Sequence, residues 1–66
     1  MRMSIGSKIQ DLCADNDISL LKLARTLYIS KASIYTYAHD RNCPSAETLH
    51  DIAKYFNVKM EYFWDE

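Results

Sequence analysis

The sequence is short of glycine and proline, with one of each among 66 residues. This scarcity argues against a flexible linker, a collagen-like repeat or a disordered tail. Its two cysteines, Cys13 and Cys43, fall short of the several pairs that small secreted disulfide scaffolds carry. No apolar run approaches the ~18 residues of a membrane span, and the start lacks the apolar stretch of a signal peptide. We therefore expect a reduced, soluble, cytoplasmic protein.

The length also excludes several classes of protein. A chain of 66 residues is too short for a catalytic domain with a deep cleft, for tandem domains or for a βαβ sheet. It contains no glycine-rich phosphate loop and no triad pattern, so we expect no enzyme and no cofactor. The residues Cys13, His39, Cys43 and His50 match no familiar paired-ligand spacing for zinc, and Cys13 lies in an apolar stripe. No metal site is predicted.

Apolar residues recur at intervals of three and four, the period of a helix, and no segment alternates with period two for long. The sequence therefore predicts an all-α fold, a compact bundle of five helices. Ser19, Ser30 and Ser45 stand where N-caps belong, and Pro44 marks a helix boundary. The predicted helices run from about Ser4 to Asn16, Leu20 to Leu27, Lys31 to His39, Ser45 to Phe56 and Lys59 to Trp64.

The second and third predicted helices have about two turns each, with only two or three residues between them. Neither is long enough to be stable alone, so the outer helices must hold them as an angled unit. Two short helices joined by a tight turn are the arrangement of a helix-turn-helix, here at about residues 19–39. We expect one such domain over residues 1–66.

Two stretches of the chain resemble the Cro- and Xre-like phage repressor family. The helix-turn-helix, Ser19–Tyr37, reads SLLKLARTLYISKASIYTY, and the stretch Pro44–Val58 reads PSAETLHDIAKYFNV, with that family's pattern P-S-x-x-T-L-x-x-I-A. The similarity covers roughly residues 5 to 63. It implies a lambda-repressor-like, five-helix DNA-binding domain whose third helix enters the major groove, and hence a transcriptional regulator of the repressor type.

The sequence departs from the family pattern at four positions. The family usually has Gln where this chain has Leu20, and a turn Gly where it has Tyr28. It usually has Glu at the position of Ala38 and Gly at the position of Asp40. A left-handed conformation is costly at Tyr28 because the residue has a Cβ. Apolar bulk at three of these positions favours an alternative, a protein-interaction module of the antitoxin or anti-repressor kind. A third alternative is an isolated N-terminal domain that works with a further, ligand-sensing or dimerising domain.

Positive charge is concentrated on the helix-turn-helix although the net charge is −1. Residues 20–42 carry +3, whereas residues 1–19 carry −1 and residues 43–66 carry −3. The four cations of the middle segment are Lys22, Arg25, Lys31 and Arg41, set against Asp40. This distribution is the electrostatic footprint expected of a small DNA-binding protein.

The helical period turns one side of the third helix away from the core, and the resemblance implies that this side reads bases. The candidate readout residues are Lys31, Ala32, Tyr35 and Thr36. Lys31 can donate to guanine O6 and N7, and the methyl groups of Ala32 and Thr36 suit the thymine methyl. Tyr35 can place its ring or hydroxyl against a base edge or a phosphate.

Hydroxyls, amides and cations near helix N-termini are candidates for the DNA backbone. They are Ser19, Lys22, Arg25, Ser30, Ser33, Arg41 and Asn42. Because one chain carries few cations, it neutralises few phosphates of the DNA. Useful affinity therefore requires two half-sites, and we expect a homodimer. Tyr62 and Trp64 are expected to face outward and form the dimer contact, because aromatic residues are enriched at interfaces. The alternative is that the terminus folds back over the first helix.

Overall fold

The computed structural model describes residues 4–64, and these form four α-helices and one 3-10 helix with no strand. The α-helices are α1 (Ile5–Asp15), α2 (Leu20–Leu27), α3 (Lys31–Ala38) and α4 (Ala46–Phe56). The all-α prediction is confirmed. The expectation of five α-helices is wrong, because the last element, Met60–Phe63, is a 3-10 helix. Four residues are too few to offset the cost of nucleating an α-helix, and no side chain caps this segment.

Each α-helix begins after a serine whose hydroxyl accepts a hydrogen bond from a backbone N–H of the first turn. Ser4, Ser19, Ser30 and Ser45 accept from Ser7, Lys22, Ser33 and Thr48 at 3.0, 3.0, 3.0 and 3.1 Å. Each cap satisfies a donor that the helix itself leaves without a partner, which is typically worth about 1 kcal/mol. The N-caps predicted at positions 19, 30 and 45 are confirmed.

Two helices end in the left-handed conformation. Tyr28 closes α2 with φ 58° and ψ 39°, and Asn57 closes α4 with φ 59° and ψ 43°. Beyond Tyr28, the N–H of Ile29 donates to the carbonyl of Ala24 at 2.9 Å and reverses the chain direction. Asparagine adopts this conformation at little cost, whereas Tyr28 adopts the costly conformation that its place in the turn implies.

The core draws on all four α-helices. Its largest wholly buried side chains are Ile9, Leu23, Ile34, Leu49 and Ile52. Around them pack partly buried side chains, which include Leu20, Ile29, Tyr37, Phe56 and Val58. Ile34 and Ala38 of α3 are buried and Tyr37 is half-buried, so α3 presents its apolar side to α1 and α2. No helix within residues 4–64 is long and apolar enough to cross a membrane.

A polar clasp joins the start of α1 to the end of α3. Asp40 has a φ of 59°, and its carboxylate accepts from the Gly6 N–H at 2.9 Å and from Ser4 Oγ at 2.6 Å. Gln10 Nε2 donates to the carbonyl of Ala38 at 2.7 Å. A Cβ on Gly6 would collide with that carbonyl, so only glycine permits this approach. The clasp fixes the position of α3 relative to α1.

The C-terminal segment folds over α1, against the expectation that both its outer aromatic residues face outward. Lys8, only 6% exposed, donates from Nζ to the Tyr62 carbonyl at 2.7 Å, with Nζ 5.5 Å from the Tyr62 ring centroid. Burial raises the pKa of Tyr62, and the charges of Asp11 and Asp15 raise it further. Tyr62 is half-buried and packs against the core, so it does not face fully outward as expected, whereas Trp64 is 53% exposed. Their role in a dimer contact stays a prediction.

Candidate nucleic-acid interface

The first part of the candidate interface is the outer side of α2. Ser19 is engaged as the N-cap, and Lys22 and Arg25 are exposed. A shallow groove of about 390 Å³ is lined by Ser19, Leu21, Lys22, Arg25 and Thr26. Leu20 lies partly buried against the core, so its apolar side chain is directed inward. The predicted backbone-contacting residues of α2 therefore share one surface.

The turn between α2 and α3 consists of Tyr28, Ile29 and Ser30. Tyr28 is 96% exposed, whereas Ile29 packs against the core. The Ser30 hydroxyl donates to Ser33 Oγ at 2.9 Å and accepts from the Ser33 N–H at 3.0 Å. Both serines thus form the start of α3, with Ser30 exposed and Ser33 half-buried.

Three of the four predicted base-reading side chains are exposed on α3, namely Lys31, Ala32 and Tyr35, and Thr36 is half-buried. Thr36 Oγ1 donates to the carbonyl of Ala32 at 2.7 Å, so the hydroxyl proton is engaged inside the helix. Lys31 Nζ lies 6.0 Å from the centroid of the Tyr35 ring. A lysine over an aromatic face is attracted by the ring quadrupole, and at an exposed site this attraction is worth about 0.5–1 kcal/mol.

Arg41 and Asn42 follow α3 and are both exposed. The backbone N–H of Arg41 donates to the carbonyl of Thr36 at 3.0 Å, which holds the start of this loop against the helix end. The structure thus brings Lys31, Ala32, Tyr35 and Thr36 together on α3, with predicted backbone contacts on α2 before it and in the loop after it. Trp64 belongs to the segment that follows the 3-10 helix, a separate element.

The cysteine, histidine and acidic side chains of residues 4–64 do not come together in a metal site. Cys13 is buried, Cys43 is exposed, and burial raises the pKa of the Cys13 thiol. Within residues 4–64, no group of three or more His, Cys, Asp or Glu side chains is placed to hold a metal ion.

A comparison of the sequence with models of protein families identifies the family of this domain. A family model of the Cro/C1-type helix-turn-helix DNA-binding domain matches residues 8–61. The chain belongs to this family. No curated protein matches the chain. The chain is thus a Cro/C1-type helix-turn-helix DNA-binding domain, and the family suggested by the sequence is confirmed.

Two structural features beside the candidate interface were not predicted from the sequence. The first is the clasp of Asp40 with Gly6, for which the departure from the family glycine at position 40 was the available signal. The second is the contact between His39 and Tyr35, whose rings lie nearly parallel, at an interplanar angle of 11° and a centroid distance of 6.4 Å. The four-residue spacing of these two aromatic rings on one helix face was the signal that could have found it.

Proposed function

We propose that this Cro/C1-type domain is a sequence-specific transcriptional regulator of the repressor type, acting in the cytoplasm. Its third helix enters the major groove of a pseudo-palindromic operator, and residues 1–66 act as a single domain. The observation that carries the proposal is the exposed side of α3, where Lys31, Ala32 and Tyr35 lie together beside Thr36. The buried side of α3, through Ile34 and the Asp40 clasp, is fixed to the rest of the domain.

Each readout residue offers a defined chemistry. Lys31 donates to guanine O6 and N7, and Ala32 offers a methyl group to thymine. Thr36 also acts through its methyl group, because its hydroxyl proton is engaged by the Ala32 carbonyl. Tyr35, held beneath Lys31, presents its ring edge or hydroxyl to a neighbouring base or phosphate. This set favours a half-site that combines a guanine with thymines.

The flanking residues would set the register on the duplex through phosphate contacts. They are Ser19, Lys22, Arg25, Ser30, Ser33, Arg41 and Asn42. The hydroxyls of Ser19 and Ser30 already accept helix N–H groups, and Ser33 Oγ accepts from the Ser30 hydroxyl. The contribution of these serines to DNA binding would therefore come from their remaining hydrogen-bonding capacity. The four cations, Lys22, Arg25, Lys31 and Arg41, supply most of the electrostatic attraction to the duplex.

The dimer is the second part of the proposal. One chain brings few cations to the duplex, so two half-sites are needed for useful affinity. Trp64 is 53% exposed and is the main aromatic side chain offered for a contact between two copies, with the half-buried Tyr62 as a second contributor. Light scattering should give the dimer mass for the wild type at micromolar concentration and a lower mass for Trp64→Ala. An unchanged mass for a dimeric protein would contradict the assignment of the contact to Trp64.

A second candidate function is a protein-interaction module with the same fold and weak or no DNA binding. Tyr28 favours it, because an aromatic side chain 96% exposed in the turn is available to a protein partner. The other two departures that suggested this alternative support it less. Leu20 packs against the core and Ala38 is 1% exposed, so neither adds apolar surface to the helix-turn-helix.

The deciding experiment is a titration of labelled duplexes from the DNA beside the protein's own gene, over a salt series. If the protein binds DNA, its affinity should fall steeply as the salt concentration rises. If it has no affinity for a duplex at low salt, DNA binding is contradicted and the protein-interaction module is the remaining candidate. Lys31→Ala should cost about 1–3 kcal/mol of binding free energy and relax preference at one base position. Equal weakening on every sequence would mean that Lys31 contacts only phosphate. Lys54→Ala, which removes an exposed cation of α4, is the matched control.

A further inference from the structure

Lys31 begins α3 at a position that does not favour a cation. It directly follows the N-cap Ser30, and the first turn of α3 contains no Asp or Glu. The free N–H groups at a helix start carry partial positive charge, so the helix repels a lysine placed there. Among residues 4–64, no carboxylate forms an ion pair with Lys31. The charge of Lys31 therefore does not stabilise α3.

The partner that the structure gives this ammonium is the ring of Tyr35. Lys31 Nζ lies 6.0 Å from the ring centroid, across one turn of the helix. The face of an aromatic ring attracts a cation, and at an exposed site this attraction favours the contact about twofold to fivefold. A ring holds a cation without neutralising it, whereas a carboxylate in the same place would repel the phosphates of DNA. The pair thus keeps its full positive charge.

The Tyr35 ring has neighbours on both sides along the helix. Lys31 precedes it by four residues and His39 follows it by four, with the two aromatic rings at an interplanar angle of 11° and a centroid distance of 6.4 Å. Residues four apart lie next to each other on a helix surface. Tyr35 is only 37% exposed although it lies on the outer side of α3. These neighbours restrict the positions open to the ring.

Lysine gains more from such a contact than the other side chains proposed to read bases. Its stem has four rotatable bonds, and fixing so flexible a side chain costs free energy that binding must supply. Ala32 has no side-chain rotamer to fix, and Thr36 already donates its hydroxyl proton to the Ala32 carbonyl at 2.7 Å. An ammonium that already lies on the ring in the free protein has met part of this cost before DNA binds.

We propose that Tyr35 is a positioning residue for Lys31, and that the base preference of Lys31 depends on the Tyr35 ring. The ring holds the ammonium on the outer side of α3 and leaves its charge and its N–H donors available to guanine O6 and N7. The proposal rests on the DNA-binding function proposed above and deepens it. This role of the ring is separate from any contact between the Tyr35 hydroxyl and DNA.

The pair can be tested first in the free protein by NMR. The ring current shields lysine methylene groups that lie over an aromatic face, so the Hε signals of Lys31 should lie upfield of those of Lys54, an exposed lysine of α4. The upfield shift should persist in Tyr35→Phe, which keeps a ring, and disappear in Tyr35→Leu. No upfield shift in the wild type would overturn the proposal, whatever the protein binds.

The second test measures base preference. The probes are a duplex that the wild type selects from a pool of random sequences and a copy changed at the base pair where Lys31→Ala relaxes preference. Tyr35→Leu should lower the ratio of the affinities for these two duplexes about twofold to fivefold. Tyr35→Phe should recover most of the wild-type ratio, because it restores the ring. Tyr55→Leu is the matched control, since Tyr55 is 40% exposed on α4, and it should leave the ratio unchanged.

Combined substitutions separate an action through Lys31 from a direct contact of Tyr35. In the Lys31→Ala background, Tyr35→Leu should leave the ratio unchanged, because the side chain that the ring positions is gone. Losses that simply multiply would give Tyr35 a role of its own and overturn the proposal. A ratio as low for Tyr35→Phe as for Tyr35→Leu would also overturn it. So would an equal fall in affinity for both duplexes in Tyr35→Leu.

The outcomes also separate this proposal from the function on which it rests. A wild type that selects no duplex at low salt contradicts DNA binding itself. A wild type that selects a duplex, with no base pair at which Lys31→Ala relaxes preference, contradicts base reading by Lys31 and the positioning role together. A wild type whose preference depends on Lys31 and is unaffected by Tyr35→Leu contradicts the positioning role alone.

Discussion

Replacing Tyr28 by glycine should stabilise the domain, although it removes a large aromatic side chain. Tyr28 ends α2 with φ 58° and ψ 39°, in the left-handed region that glycine enters without steric cost. Its side chain is 96% exposed, so almost no buried surface is lost. The substitution therefore isolates the conformational cost of placing a residue with a Cβ in this turn.

The magnitude follows from two opposing contributions. Relief of the left-handed conformation is worth about 1–2 kcal/mol. The greater freedom of glycine in the unfolded chain costs about 0.4–1 kcal/mol. The free energy of unfolding should therefore rise by about 0.8 kcal/mol for Tyr28→Gly, the difference between the midpoints of these two ranges. For a domain of this size, such a gain raises the Tm by about 3–6 °C.

Thermal unfolding followed by circular dichroism would measure this gain, and urea unfolding would show whether the m value is unchanged. Asn57→Gly is the matched control, because Asn57 ends α4 with nearly the same angles, φ 59° and ψ 43°. Asparagine tolerates these angles, so its replacement should bring little or no stabilisation. A Tm for Tyr28→Gly that does not rise, or that rises no more than for Asn57→Gly, would refute the reasoning.

Three further substitutions or reactions test other parts of the structure. Gly6→Ala should lower the free energy of unfolding by about 1–3 kcal/mol in urea titrations, because its Cβ would collide with the Ala38 carbonyl and open the clasp. Iodoacetamide should modify Cys43 in the native protein much faster than Cys13, whose raised pKa leaves less thiolate at a given pH. Mass spectrometry should then show one adduct before denaturation and two after it; rapid double modification would contradict the buried site. Ser30→Ala should cost about 1 kcal/mol of stability through loss of the α3 cap, and an unchanged Tm would show that the cap contributes little.

Much of the local structure and of the candidate interface could be predicted from the sequence. The reading face of α3 follows from the helical period, because Ile34 faces the core and thereby turns Lys31 and Ala32 outward. The family resemblance then supplied what the period cannot, namely that such a face enters DNA. The end of α3 could not be predicted in the same way, since it depends on how the helix is closed by the loop and by α1.

The sequence by itself determined where the helices begin and end. The caps at Ser19, Ser30 and Ser45 involve groups three residues apart, and Asn57 needs only its own backbone preference. Such interactions are contained in a short stretch of chain, so local rules are sufficient to predict them.

Only the tertiary structure decided which distant groups meet. The Asp40 carboxylate and the Gly6 N–H are 34 residues apart in sequence, and the Lys8 ammonium and the Tyr62 carbonyl are 54 apart. No periodicity specifies these pairs, because they depend on the angles at which whole helices pack. The clasp of Asp40 with Gly6 fixes α3 against α1, and α3 carries the side chains proposed to contact bases.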